Sequence, residues 1–287
     1  MSKIIQLVQG SQEWLEYRRK MRNASETAAV LGVSPWQTPY QLWLLKTGRS
    51  VTKATAAMQH GTDMEPAARA AYEAQTGNVM QPLVLQDGAY SASLDGMDLD
   101  GELIVEIKCP YKGQASKLWN DVLVGHVPDH YAAQVQHQLM VSGAALAHLF
   151  VFDGIQGLLR PIEPIDHAMQ RIRDGWDLFQ TFMDSDTPPP LTDADTVQRS
   201  DAAWTAAAQV FAEAKRATDA ADAALATARD GLVALAQHPR EQGAGVSVTR
   251  FWKTGNVDYK KVPALRDVDL SLYRGKAREE VRVTTAL

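Results

Sequence analysis

Cysteine is almost absent from this chain. Cys109 is the only one in 287 residues, which excludes a disulfide framework and any iron–sulfur or zinc site built from four cysteines. No apolar run is long enough to span a bilayer and no leader-like segment opens the sequence, so a soluble, cytoplasmic protein is expected. There is no Gly-rich loop ending in Gly-Lys-Ser/Thr, so nothing points to ATP as a reactant. An excess of positive charge is missing too: 29 Lys and Arg stand against 34 Asp and Glu, a net charge of −5. On its own that balance speaks against a partner made of phosphates.

What is present is ample apolar material, 45% of the chain, enough for a substantial core. The charge is also unevenly spread. Residues 1–60 carry eight basic side chains against three acids, +5, which leaves −10 for the rest. A local basic face on an acidic protein is compatible with DNA.

Along the chain, Ser11 reads as the N-cap of a helix from Gln12 that places Trp14 and Arg18 on one face. Short helices follow at Ser25 to Leu31 and Tyr40 to Thr47. Gly61 to Glu65 reads as the opening of a helix to about Thr76, with Glu65 in its first turn. Strands are expected at Val79 to Leu85, Gly88 to Ser93, Leu103 to Lys108, Ala147 to Asp153 and Gly157 to Ile162. They are interleaved with helices at Ser116 to Leu123, Asp129 to Met140 and Ile165 to Met183. Tyr131, Gln134 and Gln138 share a face of the second of these helices. The pattern predicts an α/β fold, a mixed sheet covered on both sides.

At Ser185-Asp186-Thr187 and the three prolines after it the composition turns to linker. Beyond lies an alanine-rich helix, Asp201 to Gln237, about 55 Å long. Trp204, Phe211, Thr218, Leu225 and Leu232 recur in it every seven residues, with small residues three positions later. That seam implies close helix packing, between subunits or back on the chain. The tail from Val246 holds nine basic residues against five acids. It reads as a small β appendage, with an alternating run at Val246 to Trp252 and a return strand at Val257 to Lys261. A solvated surface and a contact to DNA or a partner are both open to it.

The stretch with chemical character is Ala92-Ser93-Leu94-Asp95-Gly96, followed by Val105-Glu106-Ile107-Lys108-Cys109-Pro110. Asp100-Gly101 between them is a hairpin signal. Alternation puts Glu106 and Lys108 on one face of their strand, and Asp95 can curl over that face. Since Ile104, Val105 and Ile107 mark a strand covered on both sides, the charges do not face open water. Two carboxylates converging there are costly unless a divalent cation neutralises them.

Together these residues resemble the YqaJ-type viral recombinases, relatives of lambda-phage exonuclease within the PD-(D/E)XK nuclease superfold. The resemblance spans roughly residues 10–185. It rests on Trp14 with Arg18, Asn23-Ala24-Ser25, Gly61 with Glu65, Ser93 to Gly96, Glu106 to Pro110 and Tyr131 to Gln134. Leu94 departs from the usual proline.

The resemblance implies a restriction-endonuclease-like core at 1–190; composition and pattern add a linker and long helix at 191–238 and a tail at 239–287. It implies a pair of Mg²⁺ or Mn²⁺ ions held by Asp95, Glu106, Glu65 and the Ile107 carbonyl, with Lys108 beside the attacking water. Arg18, Ser25, Ser93 and Gln134, with Tyr131 nearby, would receive a 5′-terminal phosphate. The implied activity is ATP-independent 5′→3′ digestion of linear double-stranded DNA, working with a single-strand annealing protein from a ring-shaped homotrimer. An endonuclease on the same fold and a non-catalytic recombination scaffold are the alternatives.

Overall fold

The computed structural model describes residues 2–7, 10–51, 55–256, 258, 261–265, 268, 273 and 275. They fall into two compact units, Met1–Thr196 and Val197–Leu287. The first begins with β1 (Lys3–Ile4), α1 (Gln12–Lys20), β2 (Arg22–Asn23), α2 (Thr27–Val30), α3 (Pro39–Lys46) and α4 (Ala56–Thr76). Then come β3 (Gln81–Asp87), β4 (Tyr90–Met97), β5 (Leu103–Lys108), α5 (Lys117–Leu123), α6 (Asp129–Ser142), β6 (Leu146–Phe152), β7 (Gly157–Ile162) and α7 (Asp166–Asp184).

Short-range chemistry sets these boundaries. The Ser11 hydroxyl accepts the Trp14 N–H at 3.2 Å and starts α1. Thr38 and Gln41 form a capping box at α3, and left-handed Gly77 and Gly143 close α4 and α6. Two boundaries differ by four or more residues from the sequence reading: β4 runs on to Met97, past the expected end at Ser93, and α4 begins early. α4 starts at Ala56, where the Thr55 side chain accepts the Met58 N–H at 3.2 Å, so Gly61 lies inside the helix and Glu65 sits in its third turn, not its first. A threonine cap outweighs one interior glycine, which costs a helix only about 1 kcal/mol.

The sheet runs β1-β3-β4-β5-β6-β7, with β2 added beside β4. β5 and β6 are parallel and the other neighbours along that path are antiparallel, so the sheet is mixed. α4 covers one face, where Ala68 and Tyr72 pack with Val105, Ile107 and Phe150. α6 covers the other, where Val135 and Leu139 pack with Leu94, Ile104 and Ala147. α2, α3 and α7 close a further cluster around Trp176. In β5, Ile104 and Val105 are wholly buried and Glu106 is 2% exposed. The strand is therefore covered on both sides, as its apolar run predicts.

What opens the fold is the β4–β5 junction. The two strands pair only at Gly96 with Val105 and Met97 with Ile104, next to the turn at Gly101 (φ +77°). The far end of the same β4 edge is taken by β2, at Tyr90 and Ser91. Gly96 is needed for this close approach, since a Cβ there would come within 2.6 Å of the Met80 Cβ.

The second unit holds α8 (Ala202–Leu235), β8 (Arg240–Gly243) and β9 (Val246–Thr249). α8 confirms the long helix, capped by Asp201. None of its residues is buried, and Trp204, Leu225 and Leu235 on its seam are 52%, 69% and 76% exposed. β9 pairs with the upstream β8, through a turn at Ala244 and Gly245 with positive φ, whereas the sequence predicts a partner strand downstream. Of that expected strand, Val257, Tyr259 and Lys260 lie outside the described residues. Arg250 donates to the Val233 and Ala236 carbonyls at 3.0 and 3.2 Å, closing the end of α8 where cations are favoured. Among the described residues no helix is long and apolar enough to cross a membrane.

Candidate active site

Where β4 and β5 separate, backbone groups are released from the sheet and side chains take them up. The Asp95 Oδ2 accepts the Ile107 N–H at 2.7 Å, which draws its carboxylate across β5 beside Glu106 and Lys108. On β5 the Lys108 Nζ meets the Glu106 Oε1 at 2.5 Å. The α6 face then closes over the pair. Gln134 donates to the Glu106 Oε1 at 2.7 Å and Gln138 to its Oε2 at 2.5 Å. The Gln134 carbonyl oxygen lies 3.5 Å from the Lys108 ammonium, which stands 5.2 Å from the centre of the Tyr131 ring.

The electrostatics of this cluster are lopsided. Burial, then Glu106 and Glu65, push the Asp95 carboxyl well above the usual carboxylate range, against the pull of Lys108 and the Ile107 N–H. Burial by itself would lower the Lys108 ammonium, but Glu106 and Asp95 outweigh it and hold the pKa above the ordinary lysine value. The Cys109 thiol is pushed up to about 11 by burial and by Asp95 and Glu65, so it remains protonated and is a poor nucleophile at neutral pH.

From α4, Glu65 approaches the same cluster, and Arg69 clamps it. The Arg69 Nη2 bonds the Glu65 Oε1 at 2.5 Å while its Nε donates to the Asp95 carbonyl at 2.7 Å. Among the described residues no three His, Cys, Asp or Glu side chains are gathered into a ready-made metal cage. The donor set at hand is Asp95 and Glu106 with the Ile107 carbonyl, and Glu65 is within electrostatic reach. These are hard oxygen donors with surplus negative charge, a set that suits Mg²⁺ or Mn²⁺.

A second, cationic half lies beyond. The Arg18 Nη2 donates to the Ser25 hydroxyl at 2.8 Å and is 3.5 Å from Glu26. The Trp14 ring lies under the guanidinium at 4.5 Å, and its Nε1 donates to the Ser93 hydroxyl at 3.4 Å. Lys46 braces this half from beneath. Its buried ammonium reaches the Glu26 carboxylate and the Met21 carbonyl, both at 2.8 Å, and the Arg18 carbonyl at 3.2 Å. Burial lowers its pKa and Glu26 opposes that. Arg18, Ser25, Ser93, Asp95, Glu106, Lys108, Tyr131, Gln134 and Glu65 all line one cleft of about 1110 Å³.

The structure thus gathers every site residue named from the sequence. Gln134 and Tyr131 differ from the sequence expectation: Gln134 bonds Glu106 and Lys108, and the Tyr131 ring stands by the Lys108 ammonium, not at the Arg18–Ser25 end. Arg69 and Lys46 escaped the sequence reading, as did the hold of Gln138 on Glu106. Arg69 stands four residues after Glu65 and Gln138 four after Gln134, helical spacings that place each on its partner's face.

Residues 13–145 match the family model of the YqaJ-like viral recombinase domain. The uncharacterized protein YqaJ of Bacillus subtilis (strain 168) is 32% identical over 139 residues, which is 46% of this chain. The chain spans 42% of that relative's length. The crystal structure of an alkaline exonuclease from Laribacter hongkongensis is similar, at 25% identity and a TM-score of 0.53, over 61% of this chain and 94% of that one. The dAMP complex of that exonuclease is similar at 24% identity and a TM-score of 0.52, a likeness of fold.

Proposed function

From the match of residues 13–145 to the YqaJ-like viral recombinase domain, we propose that the protein is a Mg²⁺-dependent exonuclease acting on linear double-stranded DNA. In this reading it removes nucleotides from the 5′-phosphorylated strand, 5′→3′, and leaves 3′ single strands for an annealing partner. The observation that carries it is the single cleft, with an acid-rich end at Asp95 and Glu106 and a cationic end at Arg18. The similar enzyme from Laribacter hongkongensis is an alkaline exonuclease by name, which supports the nuclease class.

The roles follow from the chemistry of each side chain. Arg18 offers a planar fork for phosphate oxygens and Ser25 and Ser93 add hydroxyls; Glu26 and Lys46 hold that end in place. Asp95 and Glu106 are the residues to hold Mg²⁺, with the Ile107 carbonyl beside them and Glu65 as the outer carboxylate. When bound, the metal supplies an activated water and neutralises charge on the departing oxygen. Lys108, charged at neutral pH, orients the attacking water and offsets the negative charge that develops on the phosphate. Gln134 and Gln138 fix the Glu106 carboxylate for that task.

Incubation of 5′-phosphorylated linear duplex with Mg²⁺ tests the reading. Release of nucleotides from the 5′ strand, abolished by Asp95→Ala, is the expected result; no release would sink it. Cleavage of covalently closed circles would move the activity to an endonuclease. Assembly into a trimer belongs to the same proposal, and light scattering of the full chain checks it.

A further inference from the structure

Trp36 has no place in the roles above, yet it lines the same cleft as Arg18, Lys108 and Tyr131. It lies in the turn between α2 and α3. The Ser34 hydroxyl accepts the backbone N–H groups of both Trp36 and Gln37 at 3.2 Å, so the turn is held. The indole is 68% exposed, which rules it out as core.

Its contacts all point towards the acid-rich end. The His130 ring meets it edge-on, with centroids 4.7 Å apart and planes at 82°, and Tyr131 lies 5.9 Å away. Tyr131 is in turn the ring beneath the Lys108 ammonium. A row of aromatic groups therefore runs from Lys108 through Tyr131 to Trp36 and ends on an open indole. Burial and the Lys108 charge lower the His130 pKa, so this ring is neutral at physiological pH and adds no second cation.

We propose that Trp36 is a stacking platform for one nucleobase flanking the scissile phosphate. The inference rests on the reading of the cleft as a DNA site. Phosphates are drawn to the arginine and lysine, and a strand lying between them has its bases projecting sideways, where only a flat apolar surface can receive any base without regard to identity. An exposed indole one ring removed from the Lys108 ammonium is such a surface. It gives binding without sequence preference, which an enzyme that digests arbitrary DNA requires.

The test couples ring to base. The dissociation constant of a short 5′-phosphorylated duplex is measured with Ca²⁺ in place of Mg²⁺, for wild type, Trp36→Ala and Trp36→Phe. It is measured again on duplexes lacking the base at the first or at the second nucleotide of the 5′ strand. Trp36→Ala should weaken binding of the intact duplex about tenfold, with Trp36→Phe close to wild type. On one of the two abasic duplexes, wild type and Trp36→Ala should bind alike. Equal binding of the intact duplex by wild type and Trp36→Ala, or the same loss on every duplex, would overturn the proposal while leaving the nuclease reading intact. A wild-type protein that does not cut 5′-phosphorylated duplex with Mg²⁺ would instead remove the reading itself.

Discussion

The Gln138 amide donates to the Glu106 Oε2 at 2.5 Å, one turn along α6 from Gln134, which takes the other carboxylate oxygen. A buried carboxylate fixed by two amides and an ammonium cannot rotate away from the cleft. Gln138→Leu removes one of these donors without adding charge, and leaves Glu106 under-satisfied in a buried place. We predict that kcat falls about ten- to a hundredfold, as for other residues that orient a ligand from behind, while KM for DNA changes little. An unchanged kcat would show that Gln134 and Lys108 hold Glu106 unaided.

Asp95→Asn separates activity from stability. An asparagine oxygen can still accept the Ile107 N–H, but the charge that burial, Glu106 and Glu65 all oppose is gone. The raised pKa means that the ionised carboxylate costs the folded protein stability as pH climbs through its folded-state value. At neutral pH without metal, the variant should therefore be the more stable protein. A gain of 1 kcal/mol raises Tm by about 2–4 °C in a domain of this size. The variant should also be inactive and lose the stabilisation that Mg²⁺ confers on the wild type. Differential scanning calorimetry with and without Mg²⁺ reads both effects.

Much of this site was legible in the sequence because its parts are local. The Asp100-Gly101 turn, the alternation that pairs Glu106 with Lys108, and the apolar neighbours that bury them each follow from a few adjacent residues. Placing Asp95 over β5 follows from the turn as well. What escaped depends on packing between distant elements: Arg69 reaches Asp95 only once α4 lies on the sheet, and Lys46 reaches Glu26 only when α3 packs against α2. The α4 boundary was misread because glycine punctuates sequences more visibly than a threonine cap does. The pattern of α8 was plain, yet a heptad specifies a seam and says nothing of what covers it.

In the proposed function Glu65, which is engaged by Arg69, serves as the outer contributor of charge to the metal. Glu65→Gln should therefore raise the Mg²⁺ concentration for half-maximal activity, by about tenfold, with activity largely restored at saturating metal. Asp95→Asn should not be restored at any Mg²⁺ concentration. Arg69→Met frees the Glu65 carboxylate and removes a donor from the Asp95 carbonyl, so its metal midpoint should fall while its kcat drops. Metal titrations of the three variants distinguish these outcomes. Equal and complete loss in Glu65→Gln would place Glu65 among the inner ligands.

His137 governs the acid limit of the fold. It is wholly buried on α6, with its Nδ1 2.6 Å from the Thr27 hydroxyl, which also accepts the Trp176 indole N–H at 3.1 Å. Burial, and then the charge of Arg173, push its pKa down to about 3, against about 6.5 in an unfolded chain. Between those values the unfolded chain takes up a proton that the folded one refuses. Stability is therefore full above about pH 6.5 and falls as the pH drops, with a slope of up to about 1.4 kcal/mol per pH unit. Asp95 acts in the opposite sense, so the His137 effect is isolated by comparison with His137→Asn, whose amide can still meet Thr27 but does not titrate. The variant should be the less stable protein at pH 7.5, by about 1–3 kcal/mol. The gap should close as the pH is lowered to 5, because only the wild type meets the proton penalty. Urea unfolding at a series of pH values measures it, and a gap that stays constant would mean that another group sets the acid limit.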